Sequence, residues 1–244
     1  MGVSCFAERL GHLVELTRSE IVALDRLEER VREIKRGTLV QRENDDVSEL
    51  FVLRHGWVIS YTMLADGSRQ ILRLHFPGDF IGTAGTVYDQ APNSLAAVTD
   101  LVVCPFDKRA LQALHDDHPR LAALIFLITQ AEHVSLTDRL ASLGRTSAKA
   151  RVGALLLDMR DRLRTMNKAI VDSFPLKLTQ EEIGDATGLT GVHVNRMMRA
   201  LAEDGLIARG NGNVTILDEQ ALTEASNYVN RFARLDLSWL PAPR

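Results

Sequence analysis

Apolar residues first recur at helical spacing, then alternate, then return to helical spacing, and this order of periods divides the chain. Leu10, Leu13, Leu16, Ile21, Leu24, Leu27, Val31 and Ile34 predict a helical region over residues 8–34. Thr17 or Ser19, followed by Glu20, can start a second short helix within it. From Lys35 the segments Thr38–Val40, Glu49–Val52, Trp57–Met63, Arg69–His75 and Leu95–Phe106 are short, β-branched or aromatic, and often alternating. Turn signals stand between them, among them Arg36-Gly37, His55-Gly56 and Phe76-Pro77-Gly78-Asp79. That cadence predicts an antiparallel β-roll or jelly roll. Asp66-Gly67 is its clearest hairpin turn.

After Asp107 the helical period resumes and continues to Leu143. Leu121, Leu124, Ile125 and Ile128 form one stripe; Phe126, Thr129, His133, Leu136, Leu140 and Leu143 form another. A helix with two apolar faces needs two things to pack against, here its own β domain and the same helix of a second copy. The second stripe is therefore the candidate dimerisation face of a homodimer. Gly144-Arg145-Thr146-Ser147 should break the helix, with Ser147 capping the next one.

Composition narrows the classes. The 244 residues are 45% hydrophobic and 25% charged, as expected of a folded, cytoplasmic chain. Cys5 and Cys104 are too few for a disulfide framework or a four-thiolate centre, and no metal site is expected. The start, MGVSCF, lacks the basic and apolar regions of a secretory signal, and Phe6 stands where a myristoylation motif has Ser or Thr. The longest apolar run, Leu121–Ile128, is too short to span a membrane, so no membrane partner is expected. Lys and Arg number 29 against 32 Asp and Glu, a net −3, which excludes a chain basic throughout. Residues 145–217 nevertheless hold 11 Lys and Arg against 8 Asp and Glu, a net +3, which leaves −6 for the rest. An acidic part joined to a mildly basic part hints at nucleic acid.

Residues 178–207, LTQEEIGDATGLTGVHVNRMMRALAEDGLI, carry the most information. Thr179 with Glu182 reads as a capping box, Ile183, Ala186 and Thr187 continue that helix, and Gly188 ends it. Thr190 then caps a second helix whose Val194, Met197, Met198 and Leu201 face inward. Its other face offers His193, Asn195, Arg196 and Arg199, with no acidic residue between Thr190 and Leu201. Two helices joined by a tight glycine turn make the helix-turn-helix that reads DNA, and a cationic face suits phosphates and guanine edges. Leu206–Arg209, a Gly-Asn-Gly-Asn turn and Val214–Leu217 then form a β-hairpin wing. A plain helical hairpin with a solvated basic face is the competing reading, and the ordered series of cap, glycine, clean helix and wing weighs against it.

These motifs together resemble the CRP/FNR superfamily of transcription regulators. The Gly78–Gly82 stretch, GDFIG, is similar to the start of that family's effector cassette, and T-Q-E-E-I-G…G-L-T…V-N-R-x-x-R-x-L…G-L-I is similar to its DNA-binding signature. The resemblance implies an α+β chain with a β-roll sensor domain over 1–109, a dimerisation helix over 110–144 and a winged helix-turn-helix with a final helix over 145–244. It also implies a homodimer that binds a palindromic double-stranded operator and recruits or blocks RNA polymerase. Arg196 matches the family's guanine-reading Arg, with His193 and Asn195 near bases or phosphate. Thr190, Thr179, Gln180, Arg209 and Asn211 are further DNA-contact candidates. Arg199 is either a phosphate contact or a partner of Glu203, and Arg145 and Lys149 are either contacts or solvated charges. Many relatives carry a cytosine-reading Glu where Val192 stands here, so the half-site should differ from TGTGA or TTGAT.

The effector cassette departs from the family pattern as well. Members that bind cyclic AMP resemble one another in a Glu after GDFIG and an Arg-Ser pair further on, which hold the ribose hydroxyl and the cyclic phosphate. Here Thr83 and Asn93-Ser94 occupy those places, and Asn lacks the cationic fork a phosphate requires. Cyclic AMP is therefore not the expected effector, and Cys5 alone cannot hold an iron–sulfur cluster. No cofactor is predicted and the effector is unidentified. Candidate pocket residues are Gly78, Phe80, Gly82, Thr83, Asn93 and Ser94, with His133 and Leu136 from the helix. Phe80, Ile81, Leu95 and Leu136 could instead plug the pocket. Three rivals stay open: a haem-, redox- or ligand-gated version of the regulator, using His55, His75, His133 or Cys5; a β-roll scaffold that binds no DNA; and an enzyme with a regulatory β-roll. The last lacks any G-x-S-x-G, P-loop, H-E-x-x-H or dinucleotide fingerprint, so no enzymatic activity is expected.

Overall fold

Residues 4–243 are described in the computed structural model, and Gly2 of the myristoylation reading lies outside the described residues. Helices α1 (Cys5–Gly11) and α2 (Arg18–Leu27) open the chain. Ser4 caps α1, and the predicted pair of Thr17 and Glu20 forms a capping box on α2. Strands β1 (Arg32–Ile34), β2 (Leu39–Gln41), β3 (Leu50–His55), β4 (Val58–Met63), β5 (Arg69–His75), β6 (Phe80–Ile81), β7 (Ser94–Ala97) and β8 (Leu101–Phe106) follow. They pair antiparallel in two sheets, ordered β1-β8-β3-β6 and β2-β7-β4-β5. Phe51, Leu53, Ile81, Leu101 and Val103 of the first sheet meet Val58, Leu95 and Ala97 of the second in a sealed core.

Three expectations need correction. The helical region does not reach Ile34: residues 32–34 extend and pair with Leu101–Val103, because at the sheet edge the β8 ladder satisfies their backbone groups. Residues 95–106 are two strands, not one. The long helix after Asp107 is also two, α3 (Lys108–Asp117) and α4 (Pro119–Arg145). Pro119 disfavours helical geometry at His118, which sits at φ −132°, and the proline then serves as the first residue of α4.

Helix α5 (Ala148–Met166) begins at the predicted Ser147 cap. Strand β9 (Ser173–Pro175), helices α6 (Gln180–Thr187) and α7 (Gly191–Glu203), strands β10 (Ile207–Gly210) and β11 (Asn213–Ile216) and helix α8 (Glu219–Ser226) complete the elements. The final helix ends at Ser226, where Asn227 turns left-handed at φ 48°. Two compact units result: one runs to Ile128 and takes in the segment from Asp236 onward, the other is Thr129–Leu235.

In the first unit two buried ion pairs brace the helices. Glu20 of α2 accepts from Arg120 at 2.9 Å, and Arg9 of α1 pairs with Asp79, whose other oxygen accepts the Phe76 N–H at 3.0 Å. Gly56 joins β3 to β4 at φ +89°, where a Cβ would fall inside contact distance of the Asp100 carbonyl oxygen. Gly56→Ala should therefore destabilise the protein by about 2 kcal/mol. Chemical denaturation of the variant against the parent checks this, and an unchanged midpoint would refute it.

Candidate nucleic-acid interface

Thr179 and Glu182 exchange both capping-box bonds, Glu182 N–H to Thr179 Oγ1 at 3.1 Å and Thr179 N–H to Glu182 Oε2 at 2.7 Å. Gly188 closes α6 in the left-handed region, and Leu189 N–H bonds back to the Gly184 carbonyl at 3.0 Å. Thr190 Oγ1 accepts the His193 N–H and starts α7. Val194, Met198 and Leu201 are buried beneath it, while Met197, predicted inward, is half-buried. The helical period sets Val192, Asn195, Arg196 and Arg199 on one outer face. All four are exposed, Val192 at 76%, and His193 stands half-buried at the flank.

That face is chemically unspent. Among the described residues Asn195, Arg196 and Arg199 have no side-chain hydrogen bond or ion pair, so the alternative Arg199–Glu203 pair does not form. Lys149, by contrast, is engaged with Asp204. Thr179, Gln180 and Thr190 are exposed around the two helix starts. A Cβ on Gly191 would lie 3.7 Å from Gln180, so the N-termini of α6 and α7 adjoin. Exposed backbone N–H groups and helix dipoles there favour an anion such as a phosphate. Arg209 lies exposed on β10, and Asn211 with Gly212, at φ 52° and 76°, forms the two-residue turn of the wing. The wing has a third strand, β9, paired to β11 through Phe174 and Val214. The sequence reading missed it because three residues ending in proline carry too short a pattern.

The comparisons with known proteins agree with this geometry. A Crp-like helix-turn-helix domain model matches residues 150–225, and a cyclic nucleotide-binding domain model matches residues 31–118. Nitrogen fixation regulation protein FixK of Bradyrhizobium diazoefficiens is 31% identical over 204 residues, covering 83% of this chain and 84% of the relative. The chain belongs to the CRP/FNR family. Another relative, the fumarate and nitrate reduction regulatory protein of Vibrio cholerae, is 26% identical over 220 residues, 90% of this chain and 88% of its own. The structure of FixK2 from Bradyrhizobium japonicum superposes with a TM-score of 0.73 at 25% identity, covering 82% of this chain and 98% of that one. The α+β architecture and the DNA-binding helix-turn-helix are thus those of a CRP/FNR transcription regulator, and its relatives are regulators rather than enzymes. No helix among the described residues is long and apolar enough to cross a membrane.

The effector candidates of this CRP/FNR chain lie apart in their environments. Thr83 is exposed at the start of a 3-10 turn, and Asn93 is half-buried. Ser94 is buried in β7, where its Oγ accepts the Glu43 N–H at 3.0 Å. Gly78 and Gly82 take positive φ in the cassette turn. Phe80 stacks between Phe6 of α1 and Phe106 of β8, at centroid distances of 3.9 and 5.4 Å, while its neighbour Ile81 and Leu95 fill the core between the sheets. His133 and Leu136 are exposed on α4, as are Phe126, Thr129 and Leu140, with Leu143 half-buried. His55 is exposed, and buried His75 lies with Nε2 3.2 Å from Ser60 Oγ. Burial, then the nearby Glu28 carboxylate, pushes the Cys5 thiol up to about 11, which makes it a poor thiolate source.

Gly184 is where α6 and the following turn come closest, since a Cβ there would press on the Leu189 carbonyl oxygen. Gly184→Ala should cost about 1–3 kcal/mol of stability. Thermal unfolding checks it, and a variant as stable as the parent would refute the close-approach argument.

Proposed function

We propose that this CRP/FNR regulator acts as a homodimer that reads a two-fold operator through α7, independently of cyclic AMP. The observation that carries the reading is the exposed face of α7, on which Asn195, Arg196 and Arg199 stand free of partners among the described residues, with no acidic residue between Thr190 and Leu201. Arg196 is assigned to a guanine through a bidentate bond to its O6 and N7 edge, and Asn195, His193 and Arg199 to adjoining bases or phosphates. Val192 offers an apolar contact to a thymine methyl in place of a carboxylate. Thr179, Gln180, Thr190, Arg209 and Asn211 are assigned to the phosphate backbone, which sets register rather than sequence.

Dimerisation is assigned to α4 because Phe126, Leu136 and Leu140 are 57%, 53% and 71% exposed at helical spacing, an apolar stripe that a single chain leaves in water. Independence from cyclic AMP rests on chemistry: neither Thr83 nor Asn93 can replace a carboxylate and a guanidinium. The regulator would then work in the cytoplasm through contact with RNA polymerase, with no bound cofactor required for operator recognition.

Selection of genomic DNA by the purified protein, without added ligand, tests the reading. A palindrome with half-sites about one helical turn apart is expected, and recovery of nothing specific from folded protein would refute ligand-free recognition. Arg196→Ala should lose about 1–3 kcal/mol of discrimination at one base step in each half-site. An unchanged preference there would remove Arg196 from that role. Replacing both Leu136 and Leu140 by Glu should turn the dimer into a monomer in sedimentation experiments. A variant that still sediments as a dimer would place the interface elsewhere.

A further inference from the structure

The second compact unit begins at Thr129, inside α4, and so contains the last part of α4 together with the DNA-reading elements. Two adjacent residues of that part, Asp138 and Arg139, reach out in different directions. Arg139 Nη2 donates to the Ala186 carbonyl at 2.6 Å. This is one of the carbonyls that the C-terminus of α6 cannot satisfy internally, and a cation there complements the helix dipole. Asp138 accepts a bidentate pair from Arg231, at 2.6 and 2.9 Å.

Arg231 belongs to a segment that lies beyond the matched helix-turn-helix residues, which end at 225. Asn227 reverses the chain after α8, and the next residues bind back to α5. Tyr228 Oη and Asn230 Nδ2 both donate to one oxygen of Asp161, at 3.0 and 2.8 Å, while its other oxygen accepts from Arg160 Nε at 2.6 Å. Buried Arg160 in turn makes a bidentate pair with Glu219 of α8, at 2.9 and 2.7 Å. The joint between α4 and α5 is also tied: Arg151 of α5 donates to the carbonyls of Leu143 and Thr146.

We propose that Tyr228, Asn230 and Arg231 form a strap which, together with Arg139, fixes α6 and α7 on the end of α4, making these side chains positioning residues for DNA recognition. The inference deepens the operator-binding reading and rests on it for its DNA readout alone. A bidentate guanidinium–carboxylate pair fixes orientation as well as distance, so Asp138–Arg231 resists rotation of α4 against α5 and α8. Arg139 does the same against α6. These contacts together stiffen the joint at Gly144–Ser147.

The test uses the full-length protein with three variants: Arg231→Ala, Asp138→Ala, and the double charge exchange Asp138→Arg with Arg231→Asp. Amide hydrogen exchange over residues 140–147 should quicken about tenfold in each single variant and return toward the parent in the exchange. Operator affinity, measured by fluorescence anisotropy at one fixed salt concentration, should fall about tenfold in the single variants and recover with the exchange. Unchanged hydrogen exchange in the single variants would overturn the strap, whatever the DNA result. Quickened exchange in a protein whose parent selects no operator would uphold the strap and refute the operator reading. Quickened exchange with unchanged operator affinity would overturn the positioning role.

Discussion

The close approach at Gly184 is the constraint on which the DNA-reading unit depends. A side chain there would meet the Leu189 carbonyl, so glycine lets the turn fold tightly against α6 and lets α7 pack on it through Val194, Met198 and Leu201. Held by its inner face, α7 leaves its outer face without internal work. Side chains that will meet bases must be ordered at their roots yet unpaired at their tips, and Asn195, Arg196 and Arg199 meet both conditions among the described residues.

Electrostatics repeats that logic at the ends of α6. Its N-terminus closes on the Thr179–Glu182 box and adjoins the start of α7, leaving further N–H groups for an anion. Its C-terminus receives the Arg139 guanidinium from α4. One short helix is thus anchored by a cation at its negative end and open to phosphate at its positive end.

In the β-roll, side chains of the cassette turn and of the strands beside it brace the fold. Asp79 of the cassette is tied to Arg9 and the Phe76 N–H, Ser94 to the Glu43 N–H, and Phe80 to an aromatic stack under α1. These contacts hold the turn, the strand and the N-terminal helix together. The cost of leaving a buried polar group unpaired makes such engagement the stable arrangement.

Local chemistry explains what the sequence by itself determined. The capping box at Thr179, the turn glycine at 188, the Ser147 cap, the Asp66-Gly67 hairpin and the basic face of α7 each depend on residues a few positions apart, and each was legible. So was the membership of the family, because two such motifs stand far apart in one chain. The break at His118-Pro119 was equally local and was overridden by an unbroken apolar period that continues on both sides of it. Tertiary structure alone decided the rest: that residues 32–34 join β8, that Phe80 turns to the helix side of its sheet, and that Asp138, Arg139 and Asp161 find Arg231, Ala186 and Tyr228. Those partners lie from 47 to 93 residues apart, and neither periodicity nor spacing records such a pairing. The chain's fold brings them together because buried and half-buried polar groups must find partners, wherever in the sequence those partners stand.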